Sequence, residues 1–229
     1  MTRKLGLLAG VAAVALMAAP AMAQQAGVRG NRAGDFLIGA SVLGVLPTNS
    51  VGGIDQPVGG SVSASNAWTG QLDFTYFVTN NISLNLIAAT TRHDLTAQNT
   101  NFGNFDAGRV WALPPTLTVQ YHPVSGSRFD PYVGLGLNYT WFYNEGGYRG
   151  APVGNSGLLI SSLNVQNAFG VALNVGMNYE MTPNWLFNVD LKYLFLRPEA
   201  QVGTNIGLRV NATTGIDPIV LSVGVRYRF

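Results

Sequence analysis

Hydrophobic and polar side chains alternate with a period of two residues along most of the chain. Between Ile219 and Phe229 every second residue is apolar, whereas Ser222, Arg226 and Arg228 lie at the positions between. Because side chains point alternately to the two faces of a β-strand, this pattern predicts a strand with one apolar and one polar face. Similar patterns predict about eight strands, at residues 35–46, 68–78, from 82 onward, 110–122, 130–143, 164–179, 185–197 and 219–229.

The connections between these strands alternate between short and long. Short turns are predicted at 79–81, 123–129 and 181–184. The long connections are rich in Gly, Asn and Ser and are expected to be loops, at 47–67, 94–109, 144–163 and 199–214. Short periplasmic turns and long extracellular loops are typical of outer-membrane barrels. The predicted fold class is therefore all-β, an eight-stranded antiparallel transmembrane β-barrel with short periplasmic turns and long extracellular loops.

The amino terminus has the features of a secretory signal peptide. Arg3 and Lys4 precede an apolar run, which ends at Pro20 and the small-residue site Ala21-Met22-Ala23. We expect residues 1–23 to be cleaved, 24–34 to form a short periplasmic segment and 35–229 to form the barrel. The predicted location is the cell outer membrane.

Composition supports a barrel rather than a soluble domain. Charged residues are 10% of the chain, against roughly 25% in an ordinary soluble domain. After the predicted leader, 11 basic residues balance 11 acidic ones, so a nucleic-acid partner has no support. No later stretch approaches the ~20 apolar residues of a membrane helix. A soluble β-sandwich or lipocalin is the remaining fold alternative, disfavoured because no second layer would cover the apolar faces.

Aromatic residues cluster near the predicted strand ends and mostly on the apolar face. Their amphipathic rings suit the two membrane interfaces, which predicts girdles in contact with outer-membrane lipid. High strand propensity alone would scatter aromatic residues over both faces. The predicted girdle residues are Trp68, Tyr76, Tyr121, Tyr143, Tyr179, Trp185, Tyr193 and Tyr227.

Several short motifs, in this order and spacing, resemble the outer membrane protein W (OmpW) family. The clearest are Leu113-Pro114-Pro115-Thr116, Phe129-Asp130-Pro131-Tyr132-Val133-Gly134, Asn184-Trp185-Leu186 and Tyr227-Arg228-Phe229. The resemblance implies an eight-stranded outer-membrane barrel that gives small hydrophobic ligands a route through the outer membrane. It also implies that the last strand, with Val225, Tyr227 and Phe229, is the signal read by the barrel-assembly machinery.

The interior of such a barrel is about wide enough for its own side chains or one small ligand. Alternation places four large apolar side chains inward, where they are candidates to line an apolar passage beneath the long loops. The alternative is that they are ordinary filling of a closed core. These candidate ligand-binding residues are Phe77, Ile87, Phe142 and Leu194.

Five charged residues also face inward by the same alternation. Charges in such an interior persist only when they are paired or hydrated, so we expect a network that plugs the periplasmic half. These residues are Asp73, Asp190, Lys192, Arg226 and Arg228. Because Pro114 and Pro115 cannot donate to a ladder, they should lie at a bulge or near the rim. We therefore hypothesise that a guest leaves sideways through a wall opening at these prolines.

Two other functional classes compete with a conduit. A barrel enzyme needs a positioned base, and the chain has only His93 and His122. Neighbouring His93 and Asp94 should point to opposite faces, and His122, next to a turn, should be solvated, so no catalytic residue is predicted. A structural or surface-interaction barrel, acting as a receptor or adhesin through its loops, remains open. We expect a monomer with no cofactor and no metal site.

Overall fold

The computed structural model describes residues 27–48 and 51–229, which form 15 β-strands. The predicted signal peptide, residues 1–23, lies outside the described residues. Within the described part, no helix is long and apolar enough to cross a membrane. The strands are β1 (Phe36–Leu46), β2 (Val51–Ile54), β3 (Ser61–Ala64), β4 (Ala67–Phe77), β5 (Ile82–Ala89), β6 (Thr91–Gln98), β7 (Phe105–Leu113), β8 (Thr116–Tyr121), β9 (Phe129–Gly146), β10 (Ile160–Val165), β11 (Ala168–Glu180), β12 (Trp185–Leu196), β13 (Glu199–Thr204), β14 (Arg209–Gly215) and β15 (Ile219–Arg228).

Eight of these strands close into the predicted antiparallel barrel, in the order β1, β4, β5, β8, β9, β11, β12 and β15, with β15 pairing back to β1. Closure satisfies the backbone groups of every strand, which the lipid phase requires. Following paired residues once round the wall from Phe36 ends at Leu46, ten residues further along β1. This stagger goes with strongly tilted strands and a narrow interior.

Below the upper end of β9, the outward face of the eight barrel strands is apolar and carries no charged side chain. Large residues such as Leu72, Leu137 and Val171 are exposed there, as lipid contact requires. The predicted girdle is confirmed in part: Trp68 and Tyr143 lie at the extracellular end, Tyr76 and Trp185 at the periplasmic end.

The sequence analysis expected the long connections to be loops, but large parts of them form strands. Seven further strands form two four-stranded sheets outside the membrane. One sheet contains β3, β6, β7 and the upper end of β9, and the other contains β10, β13, β14 and β2. Apolar side chains from both sheets, among them Leu95, Ala107, Leu163 and Val202, pack between them. We call these two sheets the cap.

Pro114 and Pro115 interrupt the wall without creating a bulge. Ile87 pairs with Thr116 below the prolines, and Thr91 pairs with Ala112 above them in the same register. The register toward β9 is likewise unchanged across the prolines. No residue is therefore inserted, and the predicted bulge is instead a local loss of backbone hydrogen bonds, because proline has no N–H to donate.

Predicted strand six is also divided into two. The ladder between β9 and β11 ends at the pair Thr140 and Ala168, and β10 above it pairs with β13 instead. At the break, the Phe142 backbone N–H donates to Asn167 Oδ1 over 2.9 Å. A side-chain amide thus replaces the next backbone rung.

Candidate functional site

The barrel interior changes character halfway along its length. On β12 the successive inward residues are Asn188, Asp190 and Lys192, followed by Leu194 and Leu196. The same change occurs on β15, where the inward residues pass from arginine through Ser222 to Val220. The periplasmic half is therefore polar inside, and the extracellular half is apolar.

An apolar cavity, which we call the chamber, occupies the extracellular half. Its volume is about 40 Å³, against the roughly 10–15 Å³ that one water molecule needs by the same measure. That is room for a small molecule or one end of a chain, but not for a bulky solute. The side chains that define it include Val45, Ala112, Pro114, Phe142, Leu194 and Val220.

A second apolar cavity, of about 30 Å³, lies between the two sheets of the cap. It is lined by Val62 and Ala97 of one sheet and by Val202 and Ala212 of the other. One cluster of packed apolar side chains, which includes Leu95 and Leu163, borders both the chamber and the second cavity. Apolar side chains thus continue from the cap down to the middle of the barrel.

The structure separates the four apolar residues that the sequence analysis grouped together. Phe142 and Leu194 line the chamber. Ile87 is also buried inside the barrel, but it pairs with Asp73 and so lies at the level of the polar half. Phe77 packs against Leu37 and Leu186 at the periplasmic end of the barrel, far from the chamber.

Below the chamber, buried polar side chains fill the barrel and form what we call the plug. Arg226 pairs with Asp73 at 2.9 Å, and Lys192 pairs with Asp190 at 2.5 Å. The other oxygen of Asp190 accepts hydrogen bonds from the Tyr132 hydroxyl and the Asn174 amide, both over 2.8 Å. These buried charges thus form a network in which each has a partner of opposite sign, as the sequence analysis expected of charges in this interior. It also leaves no continuous apolar path to the periplasm.

The chain before β1 closes the periplasmic end of the barrel. We call residues 27–35 the strap. The Glu180 carboxylate accepts the backbone N–H groups of Arg29 and Gly30, over 2.8 and 3.1 Å. It also accepts a hydrogen bond of 3.0 Å from Arg228, whose guanidinium binds Asn31 over 3.0 Å as well. Arg228, predicted only to face inward, thus ties the last strand to the strap.

His122 is buried, and the prediction that it is solvated is wrong. Its Nδ1 lies 2.8 Å from Asp130, and its Nε2 lies 3.0 Å from Ser83 Oγ. Serine, histidine and aspartate in this order resemble a hydrolase triad. However, all three side chains are buried in the plug, and neither apolar cavity reaches Ser83, whose hydroxyl is also in contact with Gln120. These side chains therefore belong to the polar network of the plug.

His93 is the other histidine, and it contributes to the chamber wall from β6 in the cap. Its Nδ1 lies 2.7 Å from the Ser65 carbonyl, which accepts the ring N–H, and its Nε2 lies 2.9 Å from the Thr91 hydroxyl. Burial lowers the pKa of His93 below its ordinary value, so the ring is neutral at pH 7. As predicted, Asp94 points the other way, to the surface.

Comparison with known proteins agrees with this architecture. Residues 32–229 match the model of the OmpW family. The chain is 34% identical to outer membrane protein W of Escherichia coli, over 87% of this chain and 90% of that protein. It is 36% identical to an uncharacterized outer-membrane protein, y4mB, of Sinorhizobium fredii, over 82% of this chain and 76% of that protein.

A solved structure has the same fold. The outer membrane protein OprG of Pseudomonas aeruginosa superposes with a TM-score of 0.76 at 26% identity, over 88% of this chain and 99% of that one. Together with the closed barrel and its apolar outer face, these similarities show an outer-membrane barrel. The chain belongs to the OmpW family.

Proposed function

We propose that this barrel gives small hydrophobic molecules a narrow route from the cell exterior into the outer membrane. The observation that carries the proposal is the division of the interior. An apolar chamber that continues toward the cap ends on a plug of paired, buried charges. A molecule without hydrogen-bonding groups is favoured in the chamber but gains nothing by entering the plug, where it would separate ion pairs.

The exit is then sideways through the wall, into the lipid. Pro114 is the place that favours this route, because it lines the chamber and belongs to the stretch where the wall lacks backbone hydrogen bonds. Breaking a complete ladder in lipid would expose several unpaired polar groups, each costly. The two prolines remove part of that cost in advance, because they have no N–H to leave unpaired.

Reversible cross-linking of the wall tests this route. The chain has no cysteine, so a pair can be introduced cleanly at Ala88 and Pro115, which face each other in the register of the flanking ladders. Facing residues of antiparallel strands lie about 4.5–5.5 Å apart, within disulfide range. We expect the oxidised Ala88→Cys/Pro115→Cys variant to lose uptake and to regain it on reduction.

Uptake should be measured in liposomes whose outer leaflet is lipopolysaccharide, because plain lipid is itself permeable to such molecules. The dye N-phenyl-1-naphthylamine, which fluoresces on entering hydrocarbon, is a suitable solute. The matched control is Val42→Cys/Val223→Cys, a facing pair on β1 and β15, whose oxidation should have no effect. Equal uptake by both oxidised variants would exclude the sideways route. Parent uptake no faster than in protein-free liposomes would exclude transport altogether.

The interior residues give a second test of the same function. Phe142→Asp places an unpaired charge in the chamber wall, and Ile87→Asp places one just below it. We expect Phe142→Asp to lose dye uptake if it refolds, because a hydrophobic guest must displace the water that a charge binds, and Ile87→Asp, which lies below the route, to keep it. Refolding has to be verified separately, since a buried unpaired charge also destabilises the barrel.

The alternative is a surface-interaction barrel without transport. It is favoured by two apolar side chains at the outer tip of the cap, Leu159 and Ile206, which are 42% and 68% exposed. Asn205 joins the two segments by accepting the Leu159 N–H. Retention of the dye by the detergent-solubilised barrel distinguishes the two functions, because a barrel that acts only through its surface has no use for a filled chamber.

Two expectations about export are also proposals. Residues 1–23 would be removed as a signal peptide, and Val225, Tyr227 and Phe229 would be read by the assembly machinery. In support, these three side chains all lie on the outward face of the last strand, and the Phe229 N–H bonds the Phe36 carbonyl where the barrel closes. A monomer is the proposed state, because each of the eight barrel strands already has two neighbours.

A further inference from the structure

A hydrogen bond between two side chains crosses the outside of the wall beside the prolines. It joins the Thr90 hydroxyl, between β5 and β6, to the Tyr143 hydroxyl on β9. The β7–β8 segment, which contains Pro114 and Pro115, runs between these two strands. The bond therefore spans the strand on which the wall is interrupted.

This bond lies where backbone bonding on one side of the prolines is incomplete. Between β5 and β8 the ladder stops at Ile87 and Thr116, and it resumes only at Thr91 and Ala112. Toward β9, by contrast, the Pro115 carbonyl still accepts the Tyr139 N–H over 3.1 Å. Thr90 stands at the incomplete side, and its hydroxyl also lies 3.5 Å from the Ala112 carbonyl, a long contact.

The surroundings make this bond stronger than it would be in water. Tyr143 lies on the lipid-facing side of the barrel and is 40% exposed, with its ring stacked on Trp111 at a centroid distance of 6.4 Å. Both hydroxyls lie on the outer side of the wall at the extracellular girdle, where fewer water molecules than in bulk solvent compete for a separated hydroxyl, so opening the bond is costly. Trp111 in turn holds the tyrosine ring in place over the gap.

We propose that the Thr90–Tyr143 hydrogen bond is a clasp that keeps the wall closed beside Pro114 and sets the rate at which a guest leaves the chamber. The inference rests on the proposed sideways route. A molecule in the chamber touches Pro114 from inside, and the shortest way into the lipid passes between β5 and β8, under the clasp. The two residues act by positioning the wall and need no contact with the guest.

Removing one hydroxyl at a time tests the clasp. Tyr143→Phe and Thr90→Val each delete a bonding group and keep the side-chain size. A side-chain hydrogen bond within a membrane protein is worth a factor of about three in an equilibrium, up to roughly twentyfold. We expect each variant to take up N-phenyl-1-naphthylamine at least about threefold faster than the parent, and the double variant to be no faster than either. Tyr121→Phe, an outward tyrosine at the periplasmic end, is the control and should match the parent.

A second measurement reports opening of the wall independently of net transport. Ala112→Cys places a single thiol in the chamber of this cysteine-free chain. A maleimide with a hexadecyl tail, dissolved in the bilayer, reaches that thiol only from the lipid side. Labelling should be at least about threefold faster when Tyr143→Phe or Thr90→Val is added, and unchanged with Tyr121→Phe.

The two measurements separate the clasp from the proposed function. If the parent takes up no dye but labelling is faster in both clasp variants, the proposed transport is wrong and the clasp remains. If both variants label and transport like the parent, the clasp is wrong, even if their unfolding midpoints fall, since a bond that only stabilises the fold changes neither rate. Faster uptake in the double variant than in either single variant would show that the hydroxyls act separately, which also contradicts the clasp.

Discussion

The two halves of the barrel share one outer surface but have opposite interiors. Outside, both halves present apolar residues to lipid. Inside, the periplasmic half holds Arg226, Lys192 and their carboxylate partners, whereas the extracellular half holds Phe142 and Leu194 around a cavity. The lipid-facing pattern therefore specifies the closed barrel. The inward residues, which change from one end of a single strand to the other, form the chamber and the plug.

The halves also differ in how they tolerate change. In the plug, every buried charge depends on a partner at a fixed distance, so losing one side chain leaves another unsatisfied. In the chamber, the walls are apolar and partly unpacked, so a change in size alters the free space before it alters the fold. Substitutions in the plug should thus act on stability and those in the chamber on passage.

The largest effect is expected from breaking an ion pair in the plug. Arg226→Met leaves the Asp73 carboxylate buried without its cation, which should lower the free energy of unfolding by about 3–5 kcal/mol. The double variant Asp73→Leu/Arg226→Met should recover most of that loss, because no charge is stranded. Urea unfolding in detergent, followed by tryptophan fluorescence, measures both. A single variant as stable as the double would show that the pair is not the support of the plug.

Substituting one phenylalanine in each half of the barrel distinguishes effects on stability from effects on uptake. Phe77 is fully buried against Leu37, Leu186 and the His122 ring, so Phe77→Ala should cost about 3–5 kcal/mol and leave dye uptake per folded molecule unchanged. Phe142→Ala should cost less, because its neighbours already border a cavity, and should change uptake. The unfolding midpoints and the dye-uptake rates of the two variants test these expectations. A change of uptake in Phe77→Ala would extend the working passage to the periplasmic end.

The sequence predicted the barrel well, because alternation depends only on which face meets lipid. The sequence analysis grouped Phe77 with Phe142, because alternation shows which face of a strand a residue is on but not how far along the barrel axis it lies. The sequence did contain this information, because Phe77 lies only two residues before the short turn at 79–81, which places it at the periplasmic end. The position of the other inward residues along the barrel axis follows only from the register between strands, which depends on the whole closed sheet.

Two further differences have separate causes. The connections predict loops rather than the cap, because glycine and asparagine dominate them, although Thr91, His93, Leu95 and Ala97 alternate with more exposed residues. The plug contacts of His122 could not be read from its neighbours in sequence, because Ser83 lies on another strand. Its partner Asp130 was within reach of sequence reasoning, since the two inward positions flank one short turn.

A smaller effect is expected at the strap. Glu180→Gln removes the charge that accepts the Arg29 and Gly30 N–H groups and pairs with Arg228. Loss of a charged acceptor from such a network costs about 1–3 kcal/mol, and the strap should be released before the barrel unfolds. Limited proteolysis should cut between residues 29 and 35 faster in the variant than in the parent. Unchanged cleavage would mean that Asn31 and Asp35 hold the strap without Glu180.

The smallest effect is a pH dependence that originates in the cap. Burial lowers the pKa of His93, although the Ser65 hydrogen bond and Asp94 oppose the shift. The unfolded chain therefore takes up a proton before the folded one as the pH falls through about 6.5. Folded-state stability should decline from that pH downward and level off once the folded histidine is also protonated. His93→Gln should flatten this part of the profile. Identical profiles for the two proteins would place the titration elsewhere and leave the chamber wall insensitive to acid.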